Sequence, residues 1–267
     1  GGIGLGIRNI LDSQASADYA DAVIISVAAC GYLGAALFAS LLTRNEIGPL
    51  PHELAKGSLT QGLKEMREGI RFLEEHADAA RGIIAIAIQR GGLTALTLMT
   101  LVLERNFFNN PIDTEAGLAG VTFMIVTAAV GFVIGAIIAP IGVAMVGRHR
   151  WIRLAMIAAS LSVISLAFTR SSLTLALTAF FTALCGQSVK VTNDALVQSK
   201  INDIYRGRVF AVYDVVVNFS IVSGALLAAL LLPANGDTWT LPTVVGVGYL
   251  LTALTILRPS KFFIRSA

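Results

Sequence analysis

Apolar residues fall in long runs along this chain, and seven of the runs approach the length of a bilayer crossing. They lie near Tyr19–Leu42, Gly82–Leu103, Gly117–Val146, Trp151–Thr169, Leu173–Val191, Val209–Leu232 and Leu241–Leu257. About twenty apolar residues wound as a helix cover the ~30 Å of hydrocarbon, and lipid leaves an open backbone few other ways to satisfy its polar groups. The pattern predicts an all-α integral membrane protein with seven transmembrane helices. The longest polar stretch, Thr43–Arg81, opens with Gly48, Pro49 and Pro51, which oppose helix. From Ser58 the pattern changes: Leu59, Leu63, Met66, Ile70 and Leu73 share one helical face, while Lys64, Glu65, Arg67, Glu68 and Arg71 fall off it. That predicts an amphipathic helix over 58–75, lying on the membrane surface or under the bundle.

Composition places the chain outside the soluble class. It is 55% hydrophobic and 14% charged, against roughly 25% charged for soluble domains. Placement of the cations sets an orientation. Of 20 Lys and Arg, sixteen lie in the alternate connections 43–81, 147–153 and 190–208 and in the tail from Arg258. Basic connections stay in the cytoplasm, so those connections and the C-terminus are expected inside. The segment 190–208, with Lys190, Lys200, Arg206 and Arg208, is expected to be a short loop. Cys30 and Cys185 each sit in an apolar run and are expected to act as small hydrophobes.

Gly1–Leu11 is apolar but too short to span, and no initiating Met precedes it. These features predict a piece of a longer protein. Zinc spacings, a nucleophile elbow, a dinucleotide fingerprint and a P-loop are absent. No metal, cofactor or nucleic acid is therefore expected. No catalytic cluster converges in the runs, so an enzyme is not expected either.

Polar residues inside the runs carry the chemical information, because a charge there needs a partner or a function. Arg90 follows Gln89 and lies ~12 Å from Gly82 along a helix; Asp214 lies ~9 Å beyond Arg208, with Asn218 one turn further. Three roles are open to Arg90: snorkelling to the interface, a structural ion pair with an acid, or a place on a central cavity facing an anionic group or a coupling acid. The depths make Arg90 and Asp214 natural partners, and an ion pair or one-water bridge between them is expected in at least one state. Gln187, Lys190 and Asp194 line an inner mouth or a solvated helix end. Glu104 and Arg105 are expected to form an interfacial pair.

Three segments carry a family resemblance: GLKEMREGIRFL (62–73), GRHRWIR (147–153) and QSKINDIYRGRVFAVYD (198–214). With one run, a long basic connection and six closely spaced runs, the chain resembles the C-terminal part, helix six through twelve, of a major facilitator superfamily transporter. Within that superfamily it is similar to the bacterial drug and macrolide efflux and siderophore exporter branch. The resemblance implies three parts: residues 1–42 end an N-terminal half, 43–81 form the central loop, and 82–267 form the six-helix C-terminal half-bundle. It also implies a loop motif of Gly142, Gly147, Arg148 and Arg150 with Arg206 and Arg208, though Val146 stands where the family places an acid.

The activity so implied is secondary transport, the proton-coupled efflux of a small lipophilic or amphiphilic compound, in a bacterial inner membrane. Candidate pathway residues are Gln89, Arg90, Gln187, Asp214 and Asn218. The implied partners are the bilayer, a first six-helix half, the substrate and protons. The alternative is a non-transporting scaffold or accessory subunit derived from a permease half.

Overall fold

The computed structural model describes residues 17–41, 59–112, 114–201 and 203–256. All regular structure in them is helical: α1 (Ala17–Leu41), α2 (Leu59–Glu75), α3 (Ala77–Leu103), α4 (Thr114–Val146), α5 (Arg148–Phe168), α6 (Ser172–Lys200), α7 (Asp203–Leu231) and α8 (Thr240–Leu251). Single π-helical turns, Glu104–Phe108 and Thr252–Ile256, extend α3 and α8. The expectations for Gly1–Leu11, the turn around Pro49 and the tail from Arg258 lie outside the described residues.

Five helices are long and apolar enough to cross a membrane: Ala77–Phe108, Ala116–Val146, Arg148–Phe168, Ser172–Ser199 and Tyr205–Leu231. They mark a multi-pass membrane protein. The first and last of the seven expected spans correspond to shorter apolar stretches, Ile25–Leu41 and Thr240–Thr255. Outward faces are apolar as lipid requires. On α7, Phe219, Val222, Leu226 and Leu230 are each at least 59% exposed and form one stripe.

The chain divides into two compact units, Gly1–Leu63 and Lys64–Ala267. The first contains α1, whose Tyr32, Leu37 and Phe38 are exposed. The second holds the bundle, and its helices pair in a regular way: α4 with α6, α3 with α7, α5 with both α6 and α8, and α3 with both α6 and α8. Taken as two triplets, α3–α5 and α6–α8, this adjacency is unchanged when the triplets are exchanged. The α4–α6 pair becomes the α7–α3 pair, and α5–α8 and α3–α6 map onto themselves. Both exchanged pairs are built on glycine. Gly131 and Gly135 of α4 lie against the Phe180 and Leu184 backbone, and Gly91 of α3 lies against Ser220 and Gly224 of α7. Small residues let helices approach closely where lipid provides no hydrophobic drive.

Two local expectations need correction. The segment 190–208 is not a loop: α6 continues to Lys200 and α7 starts at Asp203. Its four cations mark where two helices leave the apolar layer, and a charged helix end in water is still a helix. The amphipathic helix forms as expected, but with its contact face turned. Gly69 lies 2.8 Å, measured from where a Cβ would stand, from the Arg208 carbonyl oxygen. Met66 and Phe72 pack on the core and Leu73 is buried in it, while Leu63 and Ile70 of the apolar stripe stay exposed. Backbone contact through the glycine lets α2 sit against α7, and that contact outweighs burial of the whole stripe.

Candidate functional site

Polar side chains inside the bundle gather where α3, α6 and α7 meet, towards the end that carries Arg148 and Arg208. Glycine makes the room. Where a Cβ of Gly186 would stand lies the Gln89 amide, and where a Cβ of Gly82 would stand lies the Asn193 amide. Gln89 is 1% exposed and its Nε2 donates to the Thr182 carbonyl at 3.4 Å. Tyr249, fully buried, donates its hydroxyl to the Gln89 carbonyl at 2.9 Å. Asn193 is 0% exposed; it neighbours the Tyr213 phenol, yet neither amide atom makes a hydrogen bond by distance and angle.

One turn along α6 is the charged part. Lys190 Nζ donates to Asp194 Oδ2 at 2.5 Å, and the Tyr213 hydroxyl donates to Asp194 Oδ1 at 3.1 Å. Asp194 therefore holds one cationic and one neutral donor across a contact between α6 and α7. The Arg90 guanidinium lies 5.4 Å from the centroid of the Phe132 ring on α4, a cation–π contact. It is also close enough for its charge to act on the phenols of Tyr213 and Tyr249. Such a cluster can bind an anion at Arg90 or pass a proton along Tyr213 and Asp194. The fixed helices supply the positioning.

The expected pathway residues divide. Gln89, Arg90 and Gln187 are at this cluster or beside it; the Gln187 Oε1 is buried without a partner. Asp214 and Asn218 are not. Both are exposed on α7, and the Asn218 amide donates to the Asp214 backbone carbonyl at 2.8 Å. No Arg90–Asp214 ion pair forms in this state: Arg90 rests on Phe132 instead. Asp194, read from the sequence only as part of an inner mouth or a solvated helix end, and the unnoticed Tyr213 occupy the place given to Asp214. One signal was available, since Lys190 and Asp194 are four residues apart, the spacing of a helical ion pair.

The loop-motif residues lie at the basic end. The Trp151 ring packs where a Gly142 side chain would be, and Gly147 precedes α5 with a φ of 83°. Arg148 Nη1 donates to Ser199 Oγ at 2.9 Å, and Arg150 is exposed. Arg208 pairs with Glu68 at 2.7 Å and lies over the Tyr205 ring, which stacks on Phe72 with centroids 5.0 Å apart. Arg206 is exposed beside them. The basic residues thus hold helix ends together rather than forming one free cluster. Among the described residues no His, Cys, Asp or Glu group could hold a metal ion.

No family model, curated protein or solved structure matches the chain.

Proposed function

We propose that this chain supplies the second half of a major facilitator-type secondary transporter, which exports a small lipophilic or amphiphilic compound in exchange for protons. The observation that carries the reading is the exchange-invariant adjacency of the two helix triplets, with α3 and α6 antiparallel. Inverted-topology repeats of three helices are how such half-bundles are built, with the substrate site near the midplane at the interface of repeats. The Arg90–Tyr213–Asp194–Lys190 cluster supports it, because ionisable groups inside membrane helices mark ion and substrate paths. The basic end is then cytoplasmic.

A first half-bundle would cover α4 and α7, the least buried of the five long helices. Asp214 and Asn218 lie on an exposed side of α7 and would face that interface or the cavity beside it. Protons would be exchanged at Asp194, with Tyr213 as donor and Lys190 as counter-charge.

Everted vesicles containing the product of the complete reading frame should take up lipophilic dyes when the lumen is acidified and release them when a protonophore is added. Asp194→Asn should remove the proton-driven part of that uptake. Uptake equal to that of vesicles without the protein, across a panel of dyes and antibiotics, would end the proposal.

A further inference from the structure

Arg90 is a half-buried cation inside a membrane-crossing helix, and a charge there needs a partner. Among the described residues the carboxylates of the basic end are committed elsewhere: Asp194 to Lys190, Asp78 to Arg81 and His149, and Glu68 to Arg208. Asp214 is exposed on α7 and does not pair with Arg90. Arg90 and Lys190 against Asp194 therefore leave the cluster one positive charge in excess. The Phe132 ring offers Arg90 only its face.

That cation–π contact bridges two helices that otherwise stand apart. α3 and α4 both pack on α6 and hardly touch each other, so a groove runs between them with α6 as its floor. Leu93 and Leu96 of α3, Ile125 and Ala128 of α4, and Ala179 and Thr182 of α6 surround a cavity of about 80 Å³ in it. Leu93 is three residues beyond Arg90, and Ala128 is four before Phe132, so guanidinium and ring stand at one end of the groove on the same two helix faces. The groove is open to the outside along Thr97 and Ile125, both exposed. At its far end, about 21 Å along α3, Glu104 lies against Gly120 and is 3% exposed, with Asn109 Nδ2 3.4 Å from its Oε2. Arg105, expected from the sequence to pair with Glu104, is exposed instead. The groove thus has a cation at one end and an acid at the other, and an anion is drawn to one end only.

One polar atom lining the pocket is unmet. Thr182 is 1% exposed and its Oγ1 makes no hydrogen bond, while its carbonyl accepts from the amide of Gln89, the residue next to Arg90, at 3.4 Å. A free hydroxyl donor therefore stands within about a turn of the guanidinium. Donors of this kind suit a carboxylate, and the charged one gives the stronger bond. The apolar walls suit hydrocarbon. Their cavity is about half the ~150 Å³ that holds a benzene ring, which fits a short alkyl group rather than a long acyl chain.

We infer that this groove binds a short-chain amphiphilic monocarboxylate, its carboxylate at Arg90 and Thr182 and its alkyl group between α3 and α4. Calling that ligand a substrate rests on the transport reading. The binding site does not, because it is read by protection of the groove itself.

The test uses the product of the complete reading frame in detergent, with Cys30 and Cys185 replaced and Thr97→Cys as a reporter on the open side of the groove. Hexanoate should slow maleimide labelling at position 97 saturably, and should leave Ile112→Cys, at an 88% exposed position, unaffected. Half-protection should need roughly tenfold less hexanoate than butyrate, which is two methylenes shorter. Arg90→Gln should raise the hexanoate requirement about tenfold, and hexan-1-ol or hexylammonium, which keep the chain without the anion, should protect roughly tenfold less well. Equal protection by hexan-1-ol overturns the inference, and so does protection that survives Arg90→Gln unchanged. Protection that keeps strengthening from hexanoate to oleate would make this a lipid site and overturns it too. If Arg90→Gln fails to fold, the ligand series on the Thr97→Cys protein decides alone. Protection without dye uptake refutes transport and leaves the anion site standing; dye uptake without protection refutes the anion site alone.

Discussion

Substituting Gly135 by alanine tests whether the α4–α6 seam sets the spacing of the bundle. A Cβ there would stand 3.0 Å from both the carbonyl carbon and the Cα of Leu184, inside the 3.4 Å at which ordinary contact begins. Both atoms are backbone, as is the Leu184 carbonyl oxygen, which lies closer still, so no side-chain rotation relieves the clash, and one helix must withdraw by about an ångström. A gap of that size forfeits a quarter or more of each contact's attraction, and overpacking of this kind costs roughly 1–3 kcal/mol. The Ser188 hydroxyl, which donates to the Gly135 carbonyl at 2.9 Å, would lose alignment, adding about 0.6 kcal/mol. Alanine also gains about 1 kcal/mol of helix propensity over glycine, which masks part of the loss. Gly248→Ala separates the two effects. It lies in α8 with nothing within 4 Å of its Cβ position, so it carries the propensity gain alone. Equilibrium unfolding in mixed micelles should place Gly135→Ala roughly 1–3 kcal/mol below Gly248→Ala. Equal stabilities, within about 0.5 kcal/mol, would show that this seam does not set the spacing.

Three further outcomes follow from single contacts. Tyr213→Phe removes the hydroxyl 3.1 Å from Asp194 Oδ1; it should lose about 1 kcal/mol in the same unfolding assay, and combined with Asp194→Asn it should lose less than the sum. Gly147→Ala should cost about 1–2 kcal/mol because alanine resists a positive φ, although no atom lies within 4 Å of its Cβ position; a thermal melt unchanged from the parent would contradict this. Phe132→Leu takes the ring from beneath Arg90 and should cost about 0.5–2 kcal/mol, with Phe132→Tyr close to neutral; equal losses for both would exclude the cation–π contact as the cause.

Run length made the long helices legible, since an apolar segment must be helical in lipid whatever it packs against. The end of α6 was hidden for a related reason. Charges from Lys190 onward break the apolar run, and charge reports where lipid ends rather than where helix ends. Depth along a helix could be counted from the sequence, but direction around it could not. Tyr213 and Asp214 are neighbours at almost the same depth, yet one residue turns a helix by about 100°. Tyr213 thereby faces Asp194, while Asp214 faces outward. Glu104 and Arg105 failed as a pair for the same reason, because adjacent helical residues do not face each other. The Met66, Gly69 and Leu73 face of α2 was obscured because glycine carries no apolar signal, although its missing side chain permits the contact with α7.

The α3–α6 crossing ties the two triplets into one body. Asn193 fills the notch at Gly82 and Gln89 the notch at Gly186, so each helix contributes one amide and one glycine, both separated by seven residues. Lipid competes with every apolar contact, and a smooth apolar seam would slide at little cost. Here sliding by one turn would bring Asn193 opposite Asp78 or Ile86, and Gln89 opposite Thr182 or Lys190, with no glycine to receive either amide. Leaving Asn193 without a hydrogen bond is unfavourable, and its Oδ1 against the Gly82 Cα gains only a weak C–H contact. That is acceptable where the return is a single register. Since α3 and α6 hold equivalent places in the two triplets, fixing their register fixes all six helices as one unit.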